Sequence, residues 1–135
     1  MNKKLYIQII SSIIAAQKYS DAAKTVWGER RKIYYNMKHN EINYALYLIK
    51  HNNVPQIRYK EQTAPDQNGV ESRIIYFEIK FFNETLQVSF HDFSRLNEST
   101  KGTKAIEWDG LVGQSRENCI RLDKRFGLHI FEQEL

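Results

Sequence analysis

The sequence predicts an α+β fold, with N-terminal helices packed on a small antiparallel sheet, a central β-hairpin at about 73–93 and a C-terminal helix. Three observations predict it. Apolar residues recur at helical spacing up to about position 51. After Pro55 their period drops to two. Near the end, a stripe bracketed by cap residues returns to helical spacing. Helices, then strands, then a helix is not the alternation that parallel βαβ units require.

Leu5, Ile9, Ile13 and Ala16, widened by Ile10 and Ile14, mark a helix over 3–18. Ser20-Asp21 offers an N-cap for a second helix with Ala23, Val26, Trp27, Arg30, Tyr34 and Met37 on one side. Gly28 is a point for a kink or break within it. Asn40 is the N-cap read for a third segment carrying Ile42, Ala45, Leu46 and Ile49, which Asn52-Asn53-Val54-Pro55 stops. Spacing alone leaves open whether 21–51 is one helix or two.

Ile57 and Tyr59 alternate with Arg58 and Lys60 as a short strand, and Thr63 to Gly69 reads as a loop dense in turn formers. In 73–82, Ile75, Phe77, Ile79 and Phe81 face one way; in 85–93, Leu86, Val88 and Phe90 do the same. A tight turn at Asn83-Glu84 pairs Phe81 with Leu86, Ile79 with Val88 and Phe77 with Phe90. It also sets Glu78 opposite Ser89 and Tyr76 opposite His91. Polar residues 94–104 lead to a short last strand, Lys104 to Trp108, with Ile106 and Trp108 inward. The final helix runs from Arg116 to Phe126, with Ser115 as N-cap, Lys124 and Arg125 in the last turn, and Gly127 beyond. Its inner stripe is Cys119, Leu122 and Phe126.

With 135 residues the chain fits one domain, 1–135, and six Gly with two Pro are too few for a long flexible linker. No apolar run reaches the ~20 residues of a membrane helix. The run from Ile9 to Ala16 follows Lys3 and Lys4 but continues into Gln17-Lys18 with helical periodicity, so it reads as a helix rather than a leader. One cysteine, Cys119, excludes an intrachain disulfide and fits a reducing, cytoplasmic setting. The net charge of +4 is divided unevenly: residues 1–62 carry +7 and residues 63–135 carry −3. A basic helical half suits an acidic partner or a nucleic acid.

Catalytic chemistry has no motif here. His39, His51, His91 and His129 lack metal-type spacing, so neither a metal nor a cofactor is expected. His91 and Asp92 sit side by side on a strand and point to opposite faces. Gly110-Leu111-Val112-Gly113 lacks the Lys-Ser/Thr ending of a phosphate-binding loop. The richest cluster is basic and aromatic, spanning Trp27 to Lys38. Its candidate binding residues, toward protein or nucleic acid, are Arg30, Arg31, Lys32, Tyr35 and Lys38. On a helix Arg30 shares a face with Trp27 and Tyr34, while Arg31 shares another with Tyr35 and Lys38, so one face packs and the other is wet. Tyr44 and Tyr47 are expected on the surface. Tyr76 and His91, with Glu78, are the secondary candidates and the seat of an enzyme alternative.

The N-terminal helices, the hairpin ending in Val88-Ser89-Phe90-His91-Asp92 and the stretch from Glu107-Trp108-Asp109-Gly110 to Ser115-Arg116-Glu117-Asn118-Cys119-Ile120 resemble the small accessory proteins of phages and other mobile elements. The resemblance is architectural and spans most of the chain. It implies an anti-defence, anti-CRISPR-like inhibitor that occludes a host protein or ribonucleoprotein complex without chemistry. The alternative is a small DNA- or RNA-binding protein that uses the same basic-aromatic face.

Overall fold

A computed structural model describes residues 2–65, 71–92 and 112–134. Helix α1 spans Lys3–Ala23. The Asn2 side chain accepts from Leu5 N–H at 3.0 Å and closes its first turn. The buried stripe is Tyr6, Ile9, Ile10, Ile13, Ile14 and Ala16. This helix outruns the expected end at 18, and Ser20-Asp21 caps nothing. Instead the Asp21 carboxylate accepts from Gln17 Nε2 and Arg116 Nε, both at 3.0 Å.

Gly28 makes the break. Its φ of +64° and ψ of −132° are conformations that a side chain disfavours, and it is the residue that precedes α2 (Glu29–His51). From there α2 runs unbroken for 23 residues, settling 21–51 as the end of one helix, a turn and a second helix. Asn40 is therefore not a cap: it lies mid-helix and exposed, where its amide meets water rather than competing for the backbone. Lys38, Ile42, Ala45, Leu46 and Leu48 are buried. Trp27 and Met37, read on one side with Ala23 and Val26, are exposed, Trp27 by 75%. Asn52 Nδ2 donates to Leu48 O at 2.9 Å where the helix stops.

Strands β1 (Ile57–Pro65), β2 (Glu71–Phe81) and β3 (Glu84–Asp92) form an antiparallel sheet in that order. The first strand is longer than expected, and Thr63 to Pro65, read as loop, belong to it. The hairpin turn is Phe82-Asn83 rather than Asn83-Glu84. The cross-strand pairs are therefore Phe81/Glu84, Ile79/Leu86, Phe77/Val88 and Ile75/Phe90. The shift is two residues, so the same side chains face the core and the expected partners become diagonal neighbours. The Phe77 and Phe90 rings still meet edge to face at 6.3 Å. The reason is local: the observed register gives Ile75 an apolar partner and lets Glu84 reach Arg121 at 2.6 Å. On the opposite face Glu78 pairs with Gln87, Tyr76 with Ser89, and Ile74 with His91. The expected pairs Glu78/Ser89 and Tyr76/His91 are each displaced by the same two residues.

Helix α3 spans Val112–Arg125, starting before the expected Ser115 cap. Ser115 is instead inside the helix, with its hydroxyl accepting from Ser89 N–H at 2.9 Å. Cys119 and Leu122 are fully buried, Phe126 packs partly against the core, and Gly127 ends the helix with φ +62°. One apolar cluster joins α1, the second half of α2, the inner sheet face and α3. The expected strand at Lys104–Trp108 and the polar residues 94–104 lie outside the described residues, as do Gly110 and Leu111.

Candidate functional site

Helix α2 carries two apolar lines. The first, through Ile42, Ala45, Leu46 and Ile49, faces the core. The second occurs at positions 33, 37, 44 and 47, which together with Arg30, Asn40 and His51 form a row spaced by three and four residues. At about 100° per residue this line lies opposite Ile42. It is occupied by Ile33, Met37, Tyr44 and Tyr47, with Tyr44 45% and Tyr47 56% exposed. Tyr47 stacks on His51 with ring centroids 4.2 Å apart. A helix whose outward line is aromatic and aliphatic departs from the polar face that solvent alone would favour.

The candidate binding residues do not converge on one surface. Arg30 is exposed on the flank of the outward line and makes no ion pair with a described residue. Lys32 is exposed beside Glu29 at 3.6 Å. Arg31 turns inward: its Nε donates to Ala23 O at 2.9 Å, and its guanidinium lies 4.6 Å from the Trp27 ring. That bond ties the end of α1 to the start of α2. Tyr35 is half-buried. Lys38, only 4% exposed, donates to the His91 carbonyl and lies within 6 Å of the Tyr35 and Phe90 rings. Arg31, Tyr35 and Lys38 are each at least half-buried, and so is Tyr34 of the other set, which stacks on Tyr19.

Tyr76 and Glu78 share the outer sheet face with Arg58, Lys60, Gln62 and Gln87, around a concavity of about 310 Å³. His91 is buried on the same face, opposite Ile74 and diagonal to Tyr76. Glu78 faces Arg58 at 3.7 Å. Among the described residues, no group of three His, Cys, Asp or Glu is placed to hold a metal ion. Cys119 is sealed in the core, and burial, reinforced by the Asp21 and Asp123 carboxylates, holds its thiol protonated far above the usual cysteine range. Between α1 and α2, burial raises Glu41 against a hydrogen bond from Ser12 that opposes the rise. Burial also raises Tyr19, which stacks on Tyr34 at 6.4 Å.

Ile33 and Met37 are the contributors that the cationic pattern hid. Their signal was nevertheless in the chain, as the three-and-four spacing from Arg30 to His51 running beside the core stripe. No described helix is long and apolar enough to cross a membrane. No protein family, curated protein or solved structure gives a match to the chain.

Proposed function

We infer that the chain is a non-catalytic binding protein that engages a partner protein through the outward line of α2. The observation that carries this reading is the exposed row Ile33, Met37, Tyr44 and Tyr47, flanked by Arg30. Tyr and Arg are the side chains in which binding energy concentrates when a patch is desolvated. The partner class is a host protein or ribonucleoprotein complex that the chain inhibits or regulates, as the mobile-element resemblance implies. Nucleic acid is the second reading, and the exposed Lys24, Arg30 and Lys32 beside Trp27 favour it. It ranks lower because Arg31 and Lys38 are spent on internal bonds, and Glu29 and Glu41 lie along the same helix.

One paired experiment tests the order. Gel-shift binding to generic DNA and RNA at about 50 and 200 mM salt should be micromolar or weaker, because few cations are free to displace counterions. A pull-down from the source cell should yield a discrete protein that a Tyr44→Ser/Tyr47→Ser variant loses, at unchanged melting temperature. Tight, steeply salt-dependent nucleic-acid binding without a co-purifying protein reverses the two readings.

A further inference from the structure

The two edges of the sheet are finished differently. Gln56 O accepts from Lys80 N–H at 2.8 Å, just before β1 begins. In an antiparallel ladder this fixes the even-numbered residues of β1 as those bonded to β2. The odd-numbered residues, Tyr59 and Glu61 among them, then aim N–H and C=O away from the sheet. Across the sheet, the two-residue turn makes Phe81/Glu84 a bonded pair, so the odd-numbered residues of β3 point outward in turn. Three of those outward groups are capped by side chains from the helices. Asn118 Nδ2 donates to Gln87 O at 2.8 Å, Ser115 Oγ accepts from Ser89 N–H, and Lys38 donates to His91 O. Side chains of α3 and α2 thus occupy part of the β3 edge. On β1, no described residue takes up the outward groups of Tyr59 or Glu61.

An open edge is a template for another strand. A second copy fits it poorly. Antiparallel self-pairing must bond odd residues to odd residues, and the central registers then oppose Lys60 to Lys60, Arg58 to Lys60, or Glu61 to Glu61. Like charges directly opposite are destabilising. The outer face of the edge is cationic instead: Arg58 and Lys60 flank the concavity, both exposed, and Lys60 has no ion pair with a described residue. Tyr59, half-shielded by Lys50 at 5.5 Å, marks the inner side.

We propose that β1 accepts an extended acidic segment of a partner protein as a fourth strand. Its backbone bonds to Tyr59 and Glu61, and two carboxylates one residue apart lie against Arg58 and Lys60. The residue between those carboxylates falls on the inner side beside Tyr59 and is apolar. This is a second site, carried by the sheet edge and independent of the α2 reading.

The test uses the full chain and a synthetic capped peptide, Thr-Glu-Val-Glu-Ile-Thr, followed by amide NMR. Titration should shift and protect the Tyr59 and Glu61 amides. The analogue Thr-Lys-Val-Lys-Ile-Thr should bind at least about tenfold more weakly. Arg58→Glu/Lys60→Glu should invert that preference, and N-methylation of the peptide's edge-facing amides should abolish binding without touching the protein. The proposal is overturned if both peptides bind alike or the N-methylated peptide binds unchanged. It is equally overturned if the free chain dimerises through β1, or if oligouridylate shifts Arg58 and Lys60 while the Tyr59 and Glu61 amides stay unprotected.

Discussion

At position 82 the chain puts a phenylalanine where a tight turn demands positive φ. Phe82 takes φ +56° at the first central position of the β2–β3 turn, a conformation that glycine adopts cheaply and a side chain does not. What it gains is small: it is 74% exposed, with the Arg125 guanidinium 4.6 Å from its ring and Phe81 beside it. An exposed cation–π contact contributes about 0.5–1 kcal/mol, whereas left-handed φ costs about 1–2 kcal/mol for a residue with a Cβ. Conformation therefore outweighs contact at this site. Chemical denaturation should rank Phe82→Gly above Phe82→Ala by about 1–2 kcal/mol, since both lose the ring and only glycine relieves the backbone. Equal stabilities would show that the turn carries no strain.

At the scale of elements, the break between α1 and α2 rests on Gly28. A Cβ there meets no atom within 4 Å, so any cost of Gly28→Ala is conformational rather than steric. The substitution should lower stability by about 1–3 kcal/mol in a denaturant titration. No loss would mean that the Arg31 bond to Ala23 O alone sets the break. This is also where sequence reading faltered. Ser20-Asp21 and Asn40 have the side chains of caps, but Asp21 is drawn to Gln17 and Arg116, and Asn40 sits on a wet face with no terminus to cap. The Arg116 contact of Asp21 is a tertiary one that local pattern does not contain, and Asn40 shows that a cap residue alone does not make a terminus. The hairpin shows the complementary case. Alternation identified which side chains face inward, because a slip of two residues leaves that unchanged, but it could not place the turn. The stripe Cys119, Leu122 and Phe126 with Gly127 beyond was legible because spacing and terminator agreed.

Across the whole molecule, the basic N-terminal half does not act as one electrostatic surface. Lys38 is sunk beneath the end of β3, Arg31 bridges two helices, and Lys18 donates to Ile130 O and Gln133 O, pinning the chain after α3. Counting charges overstated how many cations face a partner, since sequence does not reveal which carbonyls will recruit them. Tyr44 and Tyr47 were legible as surface residues, whereas spacing placed Met37 on a side with Trp27 and Arg30 without showing whether that side packs. What remains outward is the line from Arg30 to His51, and the central claim is that it meets a protein. Photo-crosslinking tests this most directly, with a benzophenone amino acid in place of Tyr44 and, as control, in place of the exposed Lys124 on α3. In extract of the source cell, the position-44 probe should give a discrete protein adduct that the position-124 probe does not. A nucleic-acid adduct alone, or the same adducts from both positions, would contradict the account.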